Sequence, residues 1–421
     1  MSASRPLRFC MITTFYPPYH FGGDGIFVYR LANALAERGH HVEVVHCVDA
    51  YHAVAGVRAQ GSYENHPNVT VHSLRSRFGV LSPIATQQTG MPLFKASQIR
   101  RVLARGFDVI HYHNISLVGG PKVLEYGRGL KLYTMHEYWL GCPTHVLFRY
   151  NRAPCVTPHC FTCTLSYRRP PQWWRYLGVR DAALRHVDAF IAPSRFGAEA
   201  HRRLGLNLPT VHLPHFVPRP ANTAIERGGA EFSASAEPYF LFVGRLEKLK
   251  GLHTLIPVFR RYRRARLLIA GSGAHESQLR NLAGDDPNVV FLGHLHPDEL
   301  QGLVRRAHAV IVPSICFEVF PLVTIEAFAQ RTPVIVRNLG GMPEVIEESG
   351  GGFVYHADED LMAALDRLLD DPSERLRLGE LGYSAYQRLW SVEAHLDRYF
   401  ELIDSRIGTS AAPINSSESR A

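Results

Sequence analysis

The sequence predicts an α/β protein made of two Rossmann-like domains that face each other across a cleft. Three observations carry this reading. Short β-branched and aromatic runs alternate with helical patterns along most of the chain, the mark of open parallel sheets with helices on both faces. The alternation breaks at 221–238, a stretch rich in Ala, Gly, Ser and Glu, and then starts afresh. At 421 residues one core would be unusually large, so two units of about 200 residues are expected.

In the first unit, 1–220, strands are expected at Leu7–Thr13, His41–Cys47, Val69–Leu74, Asp108–His113, Leu130–Met135, Ala189–Ala192 and Thr210–Leu213. Helical patterns such as Gly25–Arg38 and Ser97–Arg105 lie between them, and a long loop at 140–169 is rich in Cys and Pro. Residues 221–238 read as a linker. The second unit, 239–390, has strand patterns at Tyr239–Val243, Arg266–Ala270, Val289–Leu292, Ala309–Val312, Pro333–Val336 and Gly352–Tyr355. Its helical segments include Gly251–Tyr262, Pro297–Arg306 and Leu361–Leu369. An amphipathic pattern over Ser373–Ile403 supplies a closing helix at 391–407, and the polar tail 408–421 is expected to be disordered. Sheets of this kind bind ligands at the carboxyl ends of their strands.

Composition narrows the function. Hydrophobic residues make up 46% of the chain, which excludes wholesale disorder. No run reaches the ~18–20 apolar residues of a membrane span. The start, Met1-Ser-Ala-Ser-Arg-Pro-Leu-Arg, leads straight into a strand without a signal-peptide pattern, so a cytoplasmic location is expected. Residues 1–220 hold 25 Lys+Arg against 11 Asp+Glu, and residues 221–421 hold 21 against 27. The basic first half suits a phosphorylated substrate or an anionic membrane surface, and equally a plain solvated face. Nucleic acid is excluded as a partner because no recognition motif accompanies the charge.

Candidate chemistry begins at Cys316-Phe-Glu-Val-Phe-Pro-Leu-Val-Thr-Ile-Glu, where seven residues separate Glu318 from Glu326. Pro321 favours a helix start, which puts Glu318 in the loop after a strand and Glu326 on the helix. Backbone amides at that start, Phe320, Pro321, Leu322 and Val323, would face an anion. For the two acids alone, a dipole-favoured Glu and a solvated Glu are the favoured explanation. Arg245 follows the first strand of the second domain and Lys250 comes five residues later, a cation pair suited to a diphosphate. Gly22 and Gly23 lie between the first strand and its helix, where backbone comes close to a phosphate or simply forms a loop. His136 directly follows a strand and faces the cleft, although a lone His is usually structural and this chain has 23.

Together these pieces resemble the family 4 glycosyltransferases, retaining enzymes of the GT-B fold. The resemblance runs from Gly22-Gly23 and Asp108-Val-Ile-His-Tyr-His through Thr134-Met-His136 and Ala192-Pro-Ser-Arg-Phe196. It continues to Val243-Gly-Arg245 with Lys250, Ala270-Gly271-Ser-Gly273 and the Glu318–Glu326 pair. It implies a nucleotide-sugar donor and a glycan or lipid-linked acceptor, with polysaccharide biosynthesis at the inner membrane face as the setting. It further implies that Glu326 holds the ribose, Glu318 the sugar hydroxyls, and Arg245 with Lys250 the diphosphate. Gly23 would close over the phosphates, Gly271 would line the donor site, and His136 would sit near the reacting carbon. One departure is Pro214-His-Phe-Val217, where the family has an Asn-Gly pair.

No Asp-x-Asp metal element is read between strand ends, so no cofactor is expected for the chemistry. A sugar-nucleotide epimerase and a non-catalytic sugar-nucleotide-binding relative are the competing readings. The loop 140–169 raises a separate question. Cys142, Cys155, Cys160 and Cys163 have C-x12-C-x4-C-x2-C spacing, which suits structural zinc, an iron–sulfur cluster, or unligated thiols. His145 and His159 are spare ligands. Cys10, Cys47 and Cys316 read as small buried hydrophobes.

Overall fold

The expected apolar runs become strands buried on both faces. The described residues of the computed structural model are 5–55, 59, 61–220 and 237–410. Most of the linker reading (221–236) and the tail from 411 lie outside them. The first unit contains β1 (Arg8–Ile12), β2 (His41–Cys47), β3 (Val69–Leu74), β4 (Val109–Tyr112) and β5 (Leu130–Thr134). A short ribbon follows, β6 (Phe148–Arg149) and β7 (Ala153–Pro154), then β8 (Ala189–Ala192) and β9 (Thr210–His212). Seven of these form one parallel sheet in the order β3-β2-β1-β4-β5-β8-β9.

The second unit has β10 (Tyr239–Val243), β11 (Arg266–Ala270), β12 (Val289–Gly293), β13 (Val310–Val312), β14 (Val334–Arg337) and β15 (Gly352–Tyr355). They form a parallel sheet in the order β12-β11-β10-β13-β14-β15. In each sheet the order reverses beside the first strand, β1 next to β4 and β10 next to β13. That reversal opens a crevice at the carboxyl ends. The protein therefore has two Rossmann-like domains.

Burial on both faces explains why these strands read as unbroken apolar runs. Along β1, Cys10 and Ile12 enter one core while Phe9 and Met11 enter the other. Along β10, Phe240 and Phe242 pack on one side and Leu241 on the opposite side. Cys10, Cys47 and Cys316 are buried.

The chain crosses between domains twice, side by side. After β9, Phe216 joins the first domain's core and Val217 the second's. The Val217 amide donates to the Trp390 carbonyl at 3.1 Å, and the Tyr386 hydroxyl donates to the Val217 carbonyl at 3.2 Å. Tyr386–Trp390 form one π-helical turn, and the helix Val392–Ser410 then returns to the first domain. Its Leu396, Tyr399, Leu402 and Ile403 pack on the first sheet. This helix runs three residues beyond the expected end at 407.

Five histidines are enclosed where that helix meets the sheet. The His111 ring meets the Tyr399 hydroxyl at 2.9 Å and Thr134 Oγ1 at 2.8 Å. His395 Nδ1 donates to the Pro214 carbonyl at 2.7 Å. His113, His136 and His215 form a chain of ring contacts of 2.9 and 3.0 Å. Burial lowers all five, His136 to about 3 and His395 to about 4, with neighbouring rings adding to the effect at His111, His113 and His215. They are neutral in the fold at pH 7, whereas the unfolded chain takes up protons below about pH 6.5. Stability should therefore be level from pH 8 to 7 and fall as pH drops from 6.5 towards 4. Each such histidine contributes up to about 1.4 kcal/mol per pH unit. Urea unfolding across that range checks this, and a flat profile between pH 7 and 5 would contradict it.

Candidate active site

The loop after β13 carries Glu318 and Ser314. Glu318 Oε1 accepts from Lys250 Nζ at 2.6 Å and from Ser314 Oγ at 2.7 Å. The Gly341 amide donates to the Glu318 carbonyl at 2.8 Å. A Cβ on Gly340 would stand 2.8 Å from the Glu318 nitrogen, so only glycine lets the two loops approach this closely. Burial works against both charges. Even so, Glu318 keeps Lys250 above the usual lysine range, and Lys250 with Ser314 and Arg245 holds Glu318 below the usual carboxylate range. Arg245 is exposed and turns to Glu247 at 2.6 Å.

Pro321 caps the helix Leu322–Phe328, which places Glu326 on it. Proline has no N–H, so the donors of the expected amide run are Phe320, Leu322 and Val323. Phe320 packs edge-on against the His215 ring. Glu326 Oε1 accepts from Arg30 Nη2 of the other domain at 2.9 Å. Gly271 lies at the end of β11, where a Cβ would sit 2.0 Å from the Gly244 carbonyl. Close passage of two strand ends therefore accounts for this glycine.

On the first domain, the helix Gly23–Glu37 starts directly after the β1 loop, with Gly22 at its N-cap. A Cβ on Gly23 would be 3.9 Å from Leu322 Cδ1, so the two helix starts touch. Asp24 accepts from the Gly25 amide at 2.8 Å and from Asn114 Nδ2 at 3.1 Å. Burial and then Glu137 push its pKa up, while Arg245 across the cleft pulls it down. Glu137 Oε2 meets His145 Nδ1 at 2.7 Å. His136 has both ring nitrogens engaged, by His113 and by His215. Met11 Sδ, which can only accept, lies 3.5 Å from His113 Nε2 and so orients the chain of donors toward the sulfur. His215 Nδ1 is left without a partner at the far end.

The domains are clamped at the rim as well. The Glu344 carboxylate accepts from the Arg195 and Phe196 amides at the start of the helix Arg195–Arg203, and Arg195 Nη1 meets Glu348 at 2.6 Å. Arg195 and Phe196 belong to the family-like run Ala192–Phe196, whereas sequence reasoning singled out none of Glu344, Glu348, Asp24, Glu137, Arg30 and Ser314. Asp24 and Glu137 are adjacent to Gly23 and His136, a signal that was available. Nothing in the sequence separates Arg30 from an ordinary surface arginine. The sequence does hold one Asp-x-Asp, Asp358-Glu-Asp360, at the helix start after β15. Here Asp360 accepts from the His356 and Ala357 amides and Asp358 pairs with Arg261, so it serves as a helix cap.

The sequence pattern of Glycosyltransferase Family 4 matches residues 21–219, and that of Glycosyl transferases group 1 matches residues 229–385. An uncharacterized glycosyltransferase of Methanocaldococcus jannaschii is 41% identical over 87% of this chain and 90% of its own length. The chain belongs to glycosyltransferase family 4. Its fold is shared with sucrose-phosphate synthase of Thermosynechococcus elongatus, at TM-score 0.71 and 21% identity over 96% of this chain and 100% of that one. HepE of Anabaena in complex with UDP-glucose matches at TM-score 0.66 and 16% identity over 95% and 100%. The two domains of this glycosyltransferase thus have the GT-B arrangement.

Within this glycosyltransferase the pairing of Lys250 with Glu318 sets the local electrostatics. Lys250→Met leaves Glu318 half-buried without its counter-charge and should destabilise the fold by about 1–3 kcal/mol. Adding Glu318→Gln should recover part of that loss, because the orphaned charge is gone. Urea unfolding of the two single variants and the double variant measures the coupling. Strict additivity would mean that the pair carries no interaction energy.

Proposed function

We propose that this glycosyltransferase moves a sugar, with retention of anomeric configuration and without a catalytic metal, from a nucleoside diphosphate sugar to a glycan or lipid-linked acceptor at a cytoplasmic membrane face. The observation that carries the reading is the run of charged groups along the second sheet's carboxyl end: Arg245, Lys250 and Glu318 in mutual reach, with Glu326 on the next helix. Lys250 has two further N–H donors beyond the one given to Glu318, and these and Arg245 suit the diphosphate. Phe320, Leu322 and Val323 offer amides to the same anion. Glu326 would exchange Arg30 for the ribose hydroxyls, and Glu318 would accept from the sugar. A uridine diphosphate sugar is the first donor to test, since the Anabaena structure holds one.

In the step itself, the bond from the anomeric carbon to the β-phosphate oxygen breaks while the acceptor oxygen bonds to the same face. The acceptor's proton passes to the departing phosphate. Lys250 and Arg245 stabilise the charge growing on that phosphate. Asp24 and Glu137 border the cleft from the first domain, near where the sugar carbon would lie.

Membrane association rests on an apolar surface of the first domain. The Phe78 and Phe94 rings meet at 4.3 Å, tilted by 37°, and Leu81, Ile84, Leu93, Trp173, Tyr176 and Leu177 are exposed on the same or adjoining segments. Trp174 ties Trp173's turn to the helix Leu81–Thr89 through its bond to the Gln87 carbonyl, 2.8 Å. Exposed Arg75, Arg77, Arg168 and Arg169 lie in the same stretches. Aromatic and aliphatic anchors flanked by arginines suit an anionic lipid surface. Flotation with anionic vesicles should be strong at low salt and weak at high salt; no salt-sensitive binding removes this part of the proposal.

Glu326→Ala should weaken donor binding by about 1.5–3 kcal/mol, roughly 10–100-fold in Kd, as read by calorimetry. Product analysis of the anomeric centre tests the stereochemistry: inversion would overturn the same-face step.

A further inference from the structure

The loop between β5 and β8 contains four thiols that the donor site does not use. Cys142 sits in the turn that opens the loop, and Cys155 directly follows β7. Cys160 and Cys163 stand one turn apart on the helix Cys160–Ser166. Three separate pieces of chain thus border one cavity with these residues. All four residues line a single cavity of about 20 Å³. That is room for roughly one water-sized body, too little for a cluster of several iron and sulfide atoms.

Polar groups approach two of the sulfurs. The Tyr150 amide donates to Cys163 Sγ at 3.3 Å, and Thr144 Oγ1 lies 3.3 Å from Cys142 Sγ. Arg149 lines the cavity. Arg175 donates to Gln172 and to the Trp139 and Leu140 carbonyls, with no carboxylate among these partners. Four thiolates around one zinc ion carry a net charge of −2, which Arg149 at the cavity wall and the half-buried Arg175 complement.

We propose that Cys142, Cys155, Cys160 and Cys163 bind one structural zinc ion. The four sulfurs are not among the groups of three ligand atoms within 4.8 Å of one another, so binding draws them inward across the cavity to Zn–S distances of about 2.3 Å. The ion braces the loop against the cleft. Cys142 and Leu147 pack with Tyr138 and Ala200 of the first domain and Val319 of the second, and Lys248 Nζ donates to the Asn151 carbonyl of this loop at 2.9 Å. Glu137 is held through His145, within the same loop. Zinc here does not depend on the donor-site assignments.

The full chain, purified without chelator, should contain one zinc per chain and no iron or sulfide. A mercurial titrated into it should release that zinc to a chromophoric chelator as the loop thiols react. Replacement by cobalt(II) should give thiolate-to-cobalt charge transfer and tetrahedral visible bands, which needs no variant to fold. The double variant Cys160→Ser, Cys163→Ser should lose the metal, whereas His212→Ala should keep it, His212 being at the domain rim where its ring lies within 4.8 Å of the Glu344 and Glu348 carboxylates. Less than about a tenth of an equivalent of zinc, iron with sulfide, absence of the cobalt–thiolate bands, or zinc lost in the His212 variant but kept in the cysteine variant would each overturn the proposal.

Discussion

Lys250 and Glu318 meet at 2.6 Å on the carboxyl end of the second sheet, and most of the cleft is arranged around that contact. Each side chain is substantially buried, and burial alone would favour neutral forms of both. Facing each other, they stay ionised, with Ser314 filling a further position on the carboxylate. The backbone supports this. Gly340 and Gly341 let a second loop press on Glu318 from behind, and a Cβ on Gly251, just after Lys250, would stand 1.9 Å from the Pro313 carbonyl. The loops that carry the lysine and the glutamate are therefore packed backbone to backbone, and the charges inherit that positioning.

The two domains are joined in two different ways. At the crossover, Phe216, Val217, Tyr386 and Trp390 are buried in the cores and the closing helix covers the first sheet. At the cleft rim the joints are polar: Arg30 with Glu326, and Arg195 with Glu344 and Glu348. Ion pairs of that exposure exchange readily for water or ligand, whereas the packed crossover does not. Opening of the cleft would thus turn about the crossover and break the rim contacts first. Pro214-His-Phe-Val217, the departure from the family's Asn-Gly pair, supplies His215 to the buried histidine chain and Phe216 and Val217 to the two cores.

Much of this was legible in the sequence. Strand bounds such as His41–Cys47, Val69–Leu74 and Tyr239–Val243 coincide with the structure: Tyr239–Val243 is an unbroken apolar run of a central strand, and the other two are rich in Val. Pro321 marked the helix start, and the seven-residue gap set Glu318 and Glu326 on either side of it. The ribbon and helix inside 140–169 were not legible, since β6 and β7 are two residues each and carry no periodic pattern. Partnerships were also hidden. Arg30 lies 296 residues from Glu326, and the engagement of both His136 nitrogens depends on rings contributed by β4's end and the segment after β9. Long-range side-chain pairing leaves no spacing to read.

The account's central claim is a division of labour, with Lys250 on the phosphates and Glu326 on the ribose. Calorimetric titration of a nucleoside, its monophosphate and its diphosphate into wild type, Lys250→Ala and Glu326→Ala separates the two roles. The account predicts that Lys250→Ala weakens the diphosphate about tenfold or more while leaving the nucleoside unchanged, and that Glu326→Ala weakens all three by a similar factor. A Lys250→Ala variant that loses nucleoside and diphosphate affinity equally would contradict it.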